Sequence, residues 1–280
     1  MARLLLRGID LGEVRAVLFD KDGTLSISEP QLITLAQARV FLCLEQVEPR
    51  LHAPLQRLLL QVYGLQPGGG GRCAAIAPAG ITAVASREHN LIATATALVQ
   101  LGLGWPEALA ISERTFERAD GADARRASAT EAQPSCGAAA GAATEAPATS
   151  ATTEGLHTWL EQLRAAELPC AVISNDDVAG IEHFLRSHGL RDHFQAVWSA
   201  EHRPRKPDPA AVHGVCGLLG VEAAHCALIG DANSDLQMAV AAGIPQRLAL
   251  GYTAAWSTPP PLAEPHPQVH HWRDLALVCG

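Results

Sequence analysis

The chain has 280 residues, 48% apolar, 18% charged and 4% aromatic, so it is long enough to bury a sizeable core and too apolar for a disordered polymer. Twenty-one basic against 29 acidic side chains give a formal charge of -8; with no Lys or Arg run to override it, a nucleic-acid partner is not expected. The stretch 90–106 contains Thr, Gln, Gly and Asn, falls short of the ~20 apolar residues of a membrane span and reads as a buried helix, while the start of the chain lacks a signal-peptide pattern, which predicts a cytoplasmic protein.

In chain order, the first predicted element is a strand at 14–19, an unbroken apolar run of the kind a parallel strand covered on both faces presents. The character then changes. Segments 31–45, 51–63, 81–103 and 105–119 read as helices, with the Pro-Gly run 67–71 as a break between the second and third. Residues 119–153 are Ala, Ser, Thr, Gly and Pro almost throughout; with few large side chains to offset ordering entropy, they are expected to form a flexible connection. Apolar runs return at 170–173 and 226–229. Around them lie helical patterns: Leu156, Trp159, Leu160 and Leu163; Ile181, Phe184 and Leu185 before Gly189; Val212, Val215 and Cys216 before Gly220; Leu236, Ala239 and Val240 before Gly243. Strand alternating with helix predicts an α/β fold, a doubly wound parallel sheet built from 1–27 and 154–280, with 28–153 as a helical insert.

Each apolar run ends in polar residues. The first delivers Asp20-Lys21-Asp22-Gly23-Thr24-Leu25. In extended chain, Asp20 and Asp22 project together while Lys21 faces elsewhere. One carboxylate of such a pair can attack an electrophile while the other serves the leaving group as general acid. Gly23 permits a sharp turn, and Thr24 offers a hydroxyl. The second run ends in Ser174-Asn175-Asp176, a loop suited to phosphate oxygens. The third ends in Gly230-Asp231-Ala232-Asn233-Ser234-Asp235. Four carboxylates, Asp20, Asp22, Asp231 and Asp235, would repel strongly at one edge, and oxygen ligands beside a phosphate favour Mg²⁺. Lys206 can supply the fixed positive charge a phosphoryl group still lacks. The 21 basic residues comprise 19 arginines and two lysines, Lys21 and Lys206, so Lys206 is read as a site that needs a compact ammonium head. Seven scattered cysteines without a C-x-x-C pair suggest reduced thiols, and His213, Cys216, His225 and Cys226 are not expected to form a zinc site.

Four segments in order, DKDGTL (20–25), VISN (172–175), RKPDP (205–209) and IGDANSD (229–235), resemble the four motifs of the haloacid dehalogenase superfamily, in its Mg-dependent phosphatase branch, and the chain looks broadly similar to phosphoglycolate phosphatases. The resemblance implies a Rossmann-like core with a C1-type helical cap inserted after the first motif, and hydrolysis of a small phosphorylated metabolite. It further implies Asp20 as nucleophile forming an aspartyl-phosphate and Asp22 as general acid and then base. Ser174 and Lys206, with Thr24 and Asn175, would hold the phosphate; Asp20, the backbone carbonyl of Asp22 and Asp231 would hold Mg²⁺, with Asp235 nearby. The residue between the two aspartates is usually apolar in this family, and Lys21 is expected to be a structural ion-pair partner. A phosphosugar mutase or a non-catalytic regulator on the same scaffold are the alternatives. Arg72 and residues 87–90 are the candidates in the insert for reaching substrate.

Overall fold

The computed structural model describes residues 2–67, 73–131, 149–263 and 265–279. Contacts divide the chain into two units, residues 1–28 with 151–280, and residues 29–150. The first unit opens with a hairpin of β1 (Ala2–Leu6) and β2 (Ile9–Val14) that turns through Arg7 at φ 50° and Gly8 at φ 81°. It runs on into β3 (Ala16–Phe19), all four residues of which are buried, and the short β4 (Ser26–Ile27).

The second unit contains α1 (Glu29–Leu44), α2 (His52–Val62), a hairpin of β5 (Leu65–Pro67) and β6 (Cys73–Ile76), α3 (Ile81–Val84), α4 (Arg87–Gln100) and α5 (Trp105–Glu131). Val40, Cys43, Leu55, Leu59, Leu98 and Phe116 fill its interior, and the Tyr63 hydroxyl reaches Thr94 Oγ1 at 2.6 Å. Arg39 is buried with its guanidinium 4.0 Å from the Phe116 ring centre. The polar patch at 87–90 largely serves the helix. Ser86 accepts the His89 backbone N–H at 3.3 Å as N-cap, buried Asn90 donates to the Ile81 and Ser86 carbonyls, and Arg87 pairs with Asp120 at 2.6 Å. Arg72 lies outside the described residues.

One expectation fails here: α5 continues twelve residues beyond Ala119, to Glu131. The segment lacks large apolar side chains, but Ala, Arg and Glu are strong helix formers, and a helix needs no apolar stripe to satisfy its backbone. The remainder of that tract, 132–148, lies outside the described residues.

The chain re-enters the first unit at β7 (Ala151–Thr152), which pairs antiparallel with β4, Ser26 opposite Thr152. There follow α6 (Leu156–Ala165), β8 (Cys170–Ile173), α7 (Val178–Ser187), β9 (Phe194–Trp198), α8 (Pro209–Leu219), β10 (Cys226–Gly230), α9 (Asn233–Ala241), β11 (Ala249–Tyr252), β12 (Gln268–Val269) and β13 (Leu275–Cys279). Asp208 caps α8 by accepting the Ala210 N–H at 2.9 Å, and Gly220 at φ 68° ends it.

Six strands form one parallel sheet in the order β12-β11-β10-β3-β8-β9. β8 and β10, like β3, are buried throughout, as strands covered on both faces must be. The chain winds one way from β3 through β8 and the other through β10, so the strand order reverses at β3, where doubly wound sheets bind ligands. Trp272 closes the core, stacked on Tyr252 at 4.5 Å, 5.9 Å from the Phe19 ring, and donating to Thr153 Oγ1 at 2.8 Å. The α/β class with a helical insert is therefore as expected, whereas the antiparallel sheet β13-β1-β2 was not. No helix among the described residues is long and apolar enough to cross a membrane.

Candidate active site

Sheet register gathers the first residues of the site. Phe19 lies opposite Ile229 of β10 and Val172 of β8, so Asp20, Asp231 and Ser174 leave neighbouring strands at the same edge. The Asp20 backbone N–H donates to the Ile229 carbonyl at 2.9 Å, keeping the ladder intact up to the carboxylate. Beyond it the strand ends abruptly. The Lys21 carbonyl accepts the N–H groups of Thr24, Leu25 and Ser26 at 3.3, 2.9 and 3.0 Å, a tight turn that Gly23 makes possible at φ 80°.

Asp20 and Asp235 share one cation. Lys206 Nζ donates to Asp20 Oδ1 at 2.6 Å and to the Ile173 carbonyl at 3.3 Å, and it pairs with Asp235 Oδ1 at 2.7 Å. Asp231 stands beside them with Oδ2 accepting the Trp256 indole N–H at 2.6 Å. Asp20, Asp231 and Asp235 each place a carboxylate oxygen within 4.8 Å of the others, and all are buried. Asp235 also accepts the Ala232 N–H at 3.4 Å, so helix start and site share one carboxylate.

A second cluster surrounds Asp22. Its Oδ1 accepts Lys21 Nζ at 2.7 Å, Ser26 Oγ at 3.3 Å and the Ser28 hydroxyl through a short contact. Lys21 Nζ also meets Asp176 Oδ2 at 3.0 Å. The expectation that Lys21 faces elsewhere is corrected: extended alternation stops at the turn, and the lysine stem curls back onto the neighbouring aspartate.

Burial sets the electrostatics. Desolvation, which the Lys206 charge opposes and those of Asp235 and Asp22 reinforce, pushes Asp20 up to about 7. Asp231 is driven well above the ordinary carboxylate range by burial and by the charges of Asp20 and Asp235. Asp22 behaves oppositely: burial alone would raise it, but the Lys21 ammonium and the Ser28 and Ser26 hydroxyls hold it below its usual value. Burial disfavours both lysine charges, yet the carboxylates around Lys21 and Lys206 keep them firmly ionised.

The other sequence candidates divide. Ser174 is buried, its Oγ accepting the Asp176 N–H at 3.2 Å; the N-cap of α7 is Asp177, which accepts the Gly180 N–H at 2.7 Å. Asn175 is half-buried in the same loop. Thr24 is fully enclosed beside the turn, and its Oγ1 has no hydrogen-bond partner among the described residues. Trp256, Asp176, Ser26 and Ser28 were missed; only the serines and Asp176, adjacent to the motifs, carried any sequence signal. Cys216 and Cys226 lie with sulfurs 3.6 Å apart, but among the described residues the aspartate trio is the one group of three potential metal ligands.

A family model for the haloacid dehalogenase-like hydrolases matches residues 14–243, which spans both clusters and the insert. The chain belongs to this family. Phosphoglycolate phosphatases are among its similar sequences: that of Yersinia pseudotuberculosis is 31% identical over 124 residues, covering 43% of this chain and 52% of the relative. That of Thiobacillus denitrificans is 37% identical over 93 residues, covering 33% and 41%. The matched stretches thus span about half the length of these curated relatives or less. The fold extends further. The crystal structure of a predicted phosphoglycolate phosphatase from Haemophilus somnus superposes with a TM-score of 0.61 over 93% of this chain and 96% of that one, at 19% identity. A subfamily IA hydrolase of the superfamily from Geobacter sulfurreducens gives 0.51 over 93% and 94%, at 18% identity.

Proposed function

We propose that this hydrolase is a Mg²⁺-dependent phosphatase of small phosphomonoesters, resembling phosphoglycolate phosphatases in substrate class. The observation that carries this reading is the buried grouping of Asp20, Asp231 and Asp235 with one lysine at the sheet edge, beside a second, separately compensated aspartate, Asp22. Three carboxylates against one ammonium leave the trio short of positive charge, as the raised Asp20 and Asp231 values express, and an all-oxygen donor set of this kind suits Mg²⁺. Asp20, Asp231 and the backbone carbonyl of Asp22 would hold the ion, with Asp235 beside them; when bound, it neutralises charge on carboxylate and phosphoryl oxygens.

The remaining steps belong to the chain. Lys206 and the Ser174–Asn175 loop hold the phosphoryl oxygens. An Asp20 carboxylate oxygen attacks phosphorus, the ester P–O bond breaks, and the departing alkoxide takes a proton from Asp22, which carries it in the productive complex against the pull of Lys21, Ser28 and Ser26, to leave as an alcohol. The Asp22 carboxylate then takes a proton from water, whose oxygen attacks phosphorus. The Asp20–phosphorus bond breaks, orthophosphate leaves, and both aspartates return to their starting states. Phosphate release from a panel of small phosphomonoesters, with Mg²⁺ and with EDTA, tests this. Release that requires Mg²⁺ and disappears in folded Asp20→Asn is expected; release unaffected by EDTA, or retained in Asp20→Asn, overturns it.

A further inference from the structure

The chain owns two lysines among 21 basic residues, and both are buried beside aspartates of this site. Lys206 serves the nucleophile side. Lys21 has no role in the chemistry above, yet its side chain is only 8% exposed and its ammonium is held between Asp22 Oδ1 at 2.7 Å and Asp176 Oδ2 at 3.0 Å, 5.6 Å from the Phe184 ring centre. Burying an ammonium is costly unless it is paired, so this placement is sustained by the two carboxylates together.

The contacts at Asp22 are uneven. Lys21 and Ser28 donate to the same oxygen, Oδ1, and the Ser26 hydroxyl lies 3.3 Å from it. These contacts, all gathered on one oxygen, fix the rotation of the carboxyl group and mark Oδ2 as the oxygen left to carry the transferred proton. The Ser26 hydroxyl contributes to the turn as well, lying 3.1 Å from the Lys21 carbonyl and 2.5 Å from Ser28 Oγ. Asp176 follows β8, on the loop that begins with Ser174, so the lysine joins the leaving-group acid to the loop proposed to hold the phosphate.

We propose that Lys21 is a positioning residue for leaving-group departure: by bridging Asp22 to Asp176 it holds Asp22 Oδ2 where the ester oxygen leaves. This rests on the phosphatase reading. It concerns one half-reaction, transfer of the Asp22 proton to the departing oxygen as the P–O bond breaks, and not attack by Asp20. Its signature is selective. Esters whose leaving group is a weak base need little proton transfer, whereas alkyl esters need it fully.

The test compares kcat/KM, which reports the steps through leaving-group departure, for p-nitrophenyl phosphate, phenyl phosphate and 2-phosphoglycolate in wild type, Lys21→Met and Asp176→Asn. For Lys21→Met the loss is expected to grow with leaving-group basicity, smallest for p-nitrophenyl phosphate and roughly 10²-fold for the alkyl ester, within the ~10²–10⁴-fold worth of a general acid. Asp176→Asn, which keeps the lysine but loosens one end of the bridge, is expected to shift the series in the same direction by less. It carries the decision if Lys21→Met does not fold by circular dichroism. Equal losses on all three esters, or none, in the folded variant overturn the role of Lys21. Absence of phosphate release by wild type, or its persistence in Asp20→Asn, overturns instead the phosphatase reading on which it rests.

Discussion

Gly23 offers a perturbation whose cost can be worked out beforehand. A Cβ built there would lie 2.2 Å from Asp231 Oδ2 and 2.5 Å from Trp256 Nε1, and the residue sits at φ 80°. Gly23→Ala therefore carries two costs. Left-handed backbone costs an L-residue about 1–2 kcal/mol. Moving the Asp231 carboxylate away breaks its 2.6 Å bond from Trp256 and leaves buried polar groups short of a partner, about 1–3 kcal/mol. The sum, about 2–5 kcal/mol, corresponds to a melting-point loss on the order of 10 °C for a chain of this size. Gly8 supplies the control: it has φ 81° and nothing within 4 Å of its virtual Cβ, so Gly8→Ala should show the backbone cost alone. Thermal unfolding of both variants in EDTA, where cation binding contributes nothing, measures the difference directly. Gly23→Ala should also weaken Mg²⁺ binding by titration calorimetry, and Gly8→Ala should not. Equal melting-point shifts in the two variants would refute the claim that the first motif is packed against the Asp231 carboxylate.

Mg²⁺ should raise the melting temperature in a concentration-dependent way, by the equivalent of about 2.7 kcal/mol at a hundredfold excess over Kd. In EDTA, Asp20 and Asp231 hold protons in the folded state that the unfolded chain, with ordinary carboxylates, has already released above pH 4. The contribution of Asp20 is therefore present at low pH and lost as pH rises through about 7, and that of Asp231 is lost in the same direction, so the stabilisation by Mg²⁺ should grow from pH 5.5 to 7.5; a pH-independent increment in differential scanning fluorimetry would contradict this. Trp256→Phe removes the donor to Asp231 Oδ2 while keeping an aromatic ring, and Mg²⁺ affinity should fall about 10–100-fold, as for other partners that orient metal ligands. Unchanged affinity by calorimetry would show that the indole merely packs.

What could be read from the sequence was whatever is decided locally. β3, β8 and β10 are buried on both faces, so their runs are uninterrupted; β9 is broken by exposed Gln195, and β12 has two residues, so neither produces a comparable run. The helix ends at Gly189, Gly220 and Gly243 were legible because each glycine takes a positive φ that other residues avoid. Asp20, Asp22, Lys206, Asp231 and Asp235 were legible because residue type and order carry the motif, and the sheet register then delivers Asp20 and Asp231 to one edge.

Tertiary structure decided the rest. The pairing of Ala2 with Cys279 spans the whole chain, and no local pattern specifies a partner at that separation. The course of α5 beyond Ala119 rests on backbone propensity rather than on an apolar stripe, so a reading based on burial stopped too early. Thr24 looked available beside the motif but is enclosed, while Trp256, 25 residues from Asp231 in sequence, supplies the indole that orients it. Lys21 is the clearest case. Period-two alternation puts it on the far side of the strand from its neighbouring aspartates, but three N–H groups converge on its carbonyl and turn the chain. Its four-carbon stem then returns the ammonium to Asp22, where Asp176 arrives from another strand to share the charge. Composition and order determine which groups are present. Their partners depend on desolvated charges finding compensation across strand ends that only the folded sheet brings together.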